Sequence, residues 1–161
     1  MRWCIVAKES KEEGSSMISK REISGFKSRF VVVSCFIEND GDILLLHRQD
    51  NKPQGNTWGV PAGKVHNGEE PRAALVREIQ EEVGLTIKQL QVSFFGKYYV
   101  RYTEYDFVYE IYHLILPKLP FIRMNILEHK AYMWLRPEVA LRLKLIQDED
   151  FCIKEFYGIK T

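Results

Sequence analysis

The sequence predicts a mixed α+β fold, an α/β/α sandwich in which one β-sheet is covered by helices on both faces. Three observations carry that expectation. Residues 30–37 and 43–47 are continuous rather than alternating apolar runs, as strands buried on both sides require. One amphipathic segment, Pro71 to Val83, carries Leu75, Val76, Ile79 and Val83 on a single stripe at helical spacing. The order of strands, one central helix, further strands and C-terminal helical segments is that of a layered mixed fold.

A chain of 161 residues with 45% hydrophobic content has the size and composition of one domain that needs no disulfide or structural metal to fold. Lys and Arg number 23 against 22 Asp and Glu, a formal net charge of +1. That balance argues against a protein whose main task is gripping a nucleic-acid backbone. The three cysteines (Cys4, Cys35 and Cys152) have no C-x-x-C spacing, and Cys35 lies within an apolar run as a small hydrophobe would. A reducing, cytoplasmic setting fits, and no apolar stretch approaches the roughly 18 residues of a membrane span.

Residues 1–24 read as a polar N-terminal arm and residues 25–161 as a single domain. Lys20, Arg21, Lys27 and Arg29 form a basic patch that suits a solvated surface better than a nucleic-acid contact. Asp40-Gly41 between the first two apolar runs signals a hairpin. The polar loop at 48–57 is longer than a plain connector needs, and loops of that kind often line binding sites. Pro71 suits the first helical turn and Gly84 the position just past the last. Residues 92–102 and 107–116 read as a second strand pair, rich in Tyr, Phe, Val and Ile and ended by Pro117 and Pro120. A short strand at 132–135, a helix after Arg136-Pro137 and an amphipathic end with Phe151, Ile153, Phe156 and Tyr157 complete the chain.

The central helix places Glu78, Glu81 and Glu82 on one stripe beside the apolar one. Each like-charge pair at this spacing costs about 0.2–0.5 kcal/mol. Carboxylates in the last turn meet an unfavourable helix dipole worth about 0.3–1 kcal/mol more. A solvated acidic face and a divalent-cation site both remain open on spacing alone. Clustered hard oxygens suit Mg²⁺ or Mn²⁺, and Gly63 opposite them permits a close backbone approach.

Residues 63–85, GKVHNGEEPRAALVREIQEEVGL, resemble the box that defines the Nudix hydrolase family, G-x5-E-x7-R-E-U-x-E-E-x-G-U with U aliphatic. All nine specified positions are met. The likeness extends from about Phe30 through Trp134. It implies the Nudix fold and divalent-metal-dependent hydrolysis of a nucleoside diphosphate linked to another group, as in nucleoside triphosphates, nucleotide sugars or dinucleoside polyphosphates. By the family pattern, Glu78 and Glu82 would be principal metal ligands, Glu81 a further ligand or water-activating group, and the Gly63 carbonyl a member of the site. Arg77 and Glu69 would form a supporting ion pair.

The segment before Trp134 resembles the region from which many relatives draw a general base, which makes Glu128 the candidate, ahead of Glu104, Asp106 and Glu110. Two departures from the usual pattern stand near the box. Ala62 replaces a glycine, and His66 replaces a frequent Glu, which removes one possible outer carboxylate from the site. Arg48 is a candidate phosphate contact and Tyr102 a candidate base-binding aromatic, although Tyr98, Tyr99, Tyr105, Tyr109 and Tyr112 crowd the same region. The resemblance admits a homodimer. The rival function is a non-catalytic Nudix-type module that senses a nucleotide or binds a protein, but such modules usually lose box carboxylates that this chain keeps. Gly59 to Val65 is one residue short of a P-loop and lacks its Ser or Thr, and no G-x-S-x-G occurs.

Overall fold

The computed structural model describes residues 16–160. The chain runs β1 (Met17–Ser19), β2 (Ser28–Asn39), β3 (Asp42–Arg48), β4 (Trp58–Gly59), β5 (Ala62–Lys64), α1 (Pro71–Val83), β6 (Ser93–Arg101), β7 (Asp106–Ile115), β8 (His129–Leu135), α2 (Pro137–Ala140) and α3 (Glu149–Tyr157). The strands form one mixed sheet in the order β1-β6-β7-β2-β3-β4, with β5 paired to β2 and β8 to β3. β2 and β7 run parallel, and the other pairs are antiparallel.

The continuous apolar runs have the expected cause. Along β2 and β3, Val33, Cys35, Ile37, Leu44 and Leu46 face Ala74, Leu75, Ile79 and Val83 of α1. The intervening Phe36, Ile43 and Leu45 face the opposite layer, where Ala140, Cys152 and Ile153 close the second core. Each fully buried Leu or Ile side chain removes enough apolar area to stabilise the fold by about 1.5–3 kcal/mol, so the central strands hold both layers.

The Asp40-Gly41 hairpin has positive φ at both residues (49° and 79°), as a tight I′ turn demands. α1 begins with Pro71 in its first turn and ends at Gly84 with φ 74°, whose N–H donates to the Gln80 carbonyl. Val76, expected on the apolar stripe, packs at its margin and is only partly buried. Of the segment read as an arm, Met17–Ser19 pairs with β6, and Ile18 is buried against Val100 and its neighbours. Residues 1–15, including Cys4, lie outside the described residues. Cys35 and Cys152 are free, buried thiols. No described helix is long and apolar enough to cross a membrane.

Candidate active site

The 60–65 segment, which contains β5, pairs antiparallel with β2 and packs against α1. The Cys35 N–H donates to the Pro61 carbonyl (3.0 Å) and the Val65 N–H to the Val31 carbonyl (2.9 Å), which fixes the segment along β2. Beneath it, α1 presents Glu78 and Glu82. The Ala62 N–H donates to Glu82 Oε2 (3.0 Å). The Glu78 carboxylate fills the space beside Gly63, where an added Cβ would lie 2.0 Å from Glu78 Cδ. Sequence spacing put three carboxylates on one stripe, and the tertiary contacts divide them. Glu78 and Glu82 turn inward, whereas the Glu81 side chain is 57% exposed and, among the described residues, is paired with Arg77 at 3.5 Å.

Arg77 is the tie between loop and helix. It donates to both oxygens of Glu69 (2.9 and 3.0 Å), to Glu78 Oε1 (2.6 Å) and to the Lys64 carbonyl (3.0 Å). Glu69 also accepts from the His66 N–H (3.0 Å). Those donors hold the Glu69 carboxyl down to about 2, with the Arg77 hydrogen bonds the largest cause. Glu78 and Glu82 go the other way. Burial raises Glu78 despite the Arg77 hydrogen bond. Burial lifts Glu82 well above the usual carboxylate range, the Ala62 N–H opposes that rise, and the charges of Glu78 and Glu128 add to it.

The candidate base Glu128 sits at the same end of the molecule. The Asn125 N–H donates to the Glu82 carbonyl at the end of α1 (2.9 Å), and the Glu128 and His129 N–H groups donate back to the Asn125 carbonyl. That turn brings Glu128 close enough to Glu82 for their charges to interact. Its carboxylate is paired with Lys52 at 2.6 Å and is 38% exposed. His129 behind it is buried and held down to about 4, mainly by burial, so it is neutral near pH 7.

From this acidic end a cleft of about 610 Å³ runs across the sheet. Arg48 lines it, with Nε donating to the Pro53 carbonyl (2.9 Å) and its positive charge acting on Glu82. Tyr102 also lines it, together with Phe30, Tyr105 and Tyr109. Strand register sorts the crowded aromatics: Tyr102, Tyr105 and Tyr109 border the cleft, whereas Tyr112 belongs to the core under α1 and Tyr98 is fully buried. Glu104 and Glu110 do not border the cleft, and Asp106 is engaged by Arg101 at 2.8 Å.

Several cleft residues were not singled out in the sequence: Gln54, Gln147, Glu149 and Cys152 join it through long-range packing. Residues 144–146 run beside Trp58, whose N–H donates to the Lys144 carbonyl (2.9 Å) and whose carbonyl accepts from the Ile146 N–H (2.8 Å). That strap delivers the start of α3 to the cleft wall. The acidic run at 148–150 was a local signal, but it equally suits a helix N-terminus.

The donor set suits a hard divalent cation. Two inward carboxylates meet a segment whose Gly63 leaves no side chain in the way. Among the described residues, no three His, Cys, Asp or Glu side chains are gathered closely enough to hold a metal ion by themselves, so the Gly63 carbonyl and ligand oxygens would have to complete the set. An open cluster of this kind leaves room for phosphate oxygens and water.

Its similarity to known proteins puts this mixed sandwich in a class that acts on phosphate anhydrides. The family model described as NUDIX domain matches residues 28–156, and the chain belongs to the Nudix family of pyrophosphohydrolases. A CTP pyrophosphohydrolase of Escherichia coli (strain K12) is 31% identical over 132 residues, 81% of this chain and 93% of that protein. An ADP-ribose pyrophosphatase of Bacillus subtilis (strain 168) is 33% identical over 76% of this chain but only 60% of its own length. The solution structure of the E. coli ORF135 protein superposes with a TM-score of 0.68 at 28% identity, covering 86% of this chain and 95% of that one.

Proposed function

We propose that the protein uses a divalent cation, Mg²⁺ or Mn²⁺, to hydrolyse the pyrophosphate linkage of a nucleoside diphosphate joined to another group, with nucleoside triphosphates the favoured substrates. The observation that carries this reading is the convergence of Glu78 and Glu82 on the Ala62–Gly63 backbone, which together with Glu82 lines a cleft that Phe30, Tyr102, Tyr105 and Tyr109 also line. The similarity to a CTP pyrophosphohydrolase over nearly that relative's whole length supports the triphosphate choice.

Glu78 and Glu82, with the Gly63 carbonyl, would hold the cation. Bound there, it neutralises phosphate charge and acidifies water. Glu81, at the rim, completes the acidic cluster as an outer ligand or proton acceptor. Glu128 takes the proton from the attacking water, a role its partial exposure and closeness to Glu82 allow. Arg48 steadies the phosphate chain from the loop side. Arg77 acts through the others: tied to Glu69 and Lys64, it fixes the angle at which Glu78 meets Gly63. Tyr102 and its aromatic neighbours give the base a stacking surface. Two buried, free thiols agree with a reducing, cytoplasmic setting.

The deciding experiment incubates purified protein with Mg²⁺ or Mn²⁺ and a panel of nucleoside triphosphates, nucleotide sugars and dinucleoside polyphosphates, following phosphate-bearing products. Turnover of one class that chelation abolishes is the expected outcome. Nucleotide binding without turnover under every metal condition would replace the enzyme with a nucleotide-sensing module.

A further inference from the structure

The wall of the cleft contains a carboxyl group for which the hydrolytic chemistry has no use. Glu149, the first residue of α3, is only 4% exposed, lines the cleft, and leaves Oε1 buried with no hydrogen-bond partner among the described residues. The Val60 N–H serves this carboxyl, and Oε2 lies against the neighbouring backbone, 3.6 Å from where a Gly59 Cβ would sit. Among the residues around it, Tyr109 and Cys152 are close enough to feel its charge. A buried polar atom left without a partner is costly, and more so when charged, so the fold retains this one at a disadvantage that a ligand's donor would remove. The group lies on the same wall as Tyr109, within the aromatic part of the cleft and away from Glu78 and Glu81, which do not border it.

We infer that Glu149 reads the edge of the nucleobase, Oε1 accepting a hydrogen bond from an exocyclic amino group while the neighbouring aromatic rings border the ring face. This rests on the proposed nucleotide hydrolysis and deepens it: the substrate class becomes nucleotides whose base carries an amino group, such as cytosine or adenine, in preference to their carbonyl counterparts uracil and hypoxanthine. The side chain is suited to that choice. With one oxygen committed to the Val60 N–H, a single acceptor remains, and a base that presents a carbonyl oxygen there would face it lone pair to lone pair. Burial pushes the carboxyl up to about 7, with the Val60 N–H opposing and Asp150 adding to the rise. At pH 8 the ionised, acceptor-only form therefore prevails.

The test measures kcat/KM at pH 8 for CTP against UTP and for ATP against ITP, in the wild-type protein and in Glu149→Gln. A charge-assisted hydrogen bond gained by one member of each pair predicts a wild-type preference of about 10- to 100-fold for CTP and ATP. In Glu149→Gln the amide oxygen must take the Val60 N–H, which leaves an NH₂ donor in place of Oε1, so the preference should vanish or invert. Equal kcat/KM within both pairs in the wild type overturns the inference and leaves the hydrolase reading intact. Should the variant fail to fold, the wild-type ratios decide alone. Should no nucleotide turn over, the hydrolase reading fails separately, and calorimetric binding of CMP against UMP decides: preference for CMP supports the assignment, and equal or absent binding overturns it.

Discussion

The Glu78 carboxylate lies in the space that any side chain at Gly63 would occupy, 2.0 Å from the position of an added Cβ to Cδ and 2.3 Å to each oxygen. Gly63 has an ordinary φ, so its role is to give room rather than to adopt a special conformation. The colliding group is the end of a flexible side chain, so it is the carboxylate that would give way. Gly63→Ala should fold, with a melting temperature within a few degrees of wild type, but hold Glu78 in the wrong place. Loss of such positioning typically costs about 10- to 100-fold in metal affinity or activity. Mn²⁺ titration beside a melting curve separates that outcome from simple destabilisation.

Glu82 sets function against stability. Burial raises its folded pKa well above the ordinary 4.5. For a carboxyl raised on folding, the stability contribution is complete at low pH and is lost as pH rises from 4.5 through the folded value. Near neutrality, therefore, ionising Glu82 in the absence of a cation opposes folding. Glu82→Gln should melt higher than wild type in chelator at pH 8, lose the stabilisation that Mg²⁺ confers on wild type, and turn over substrate more slowly by orders of magnitude. An unchanged rate in this variant would remove the mechanism proposed here.

The Arg77–Glu69 tie has the opposite pH sign. Glu69 is depressed from 4.5 to about 2 by its hydrogen bonds from Arg77 and from the His66 backbone. Its contribution is complete above 4.5 and disappears as pH falls towards 2. Glu69→Gln should melt below wild type at pH 7, and the gap should narrow as the pH is lowered from 4.5 towards 3. Arg77→Lys retains the charge but loses the planar fork that reaches Glu69, Glu78 and Lys64 together. It should reduce kcat/KM by about 10-fold or more while the metal-free protein remains folded.

For Glu128, a general base removed by Glu128→Gln should lower kcat by about 10²- to 10⁴-fold with little change in KM. Its salt bridge to Lys52 is partly exposed, so the melting temperature should hardly move. A fall in kcat that Lys52→Met reproduced would point to a positioning role for the pair. A normal kcat in Glu128→Gln would return the role to another carboxylate, with Glu81 the next to examine.

Local chemistry in the sequence determined much of this protein. The Asp40-Gly41 turn, the Pro71 start and Gly84 stop of α1, and the two-faced burial of β2 and β3 all follow from φ preferences and apolar spacing within a few residues. The nine box positions made the family legible before any coordinates, and the family match over residues 28–156 agrees. Tertiary structure alone decided which members of a shared helical stripe turn inward. Glu78 and Glu82 meet the Ala62–Gly63 segment paired with β2, while Glu81, one residue from Glu82, remains at the rim beside Arg77. It also decided which tyrosines border the cleft, because alternation along paired strands sends near neighbours to opposite faces of the sheet. Glu149 was hidden for the same reason. Its neighbour Val60 is 89 positions away in the chain, and only the strap beside Trp58 brings the two together.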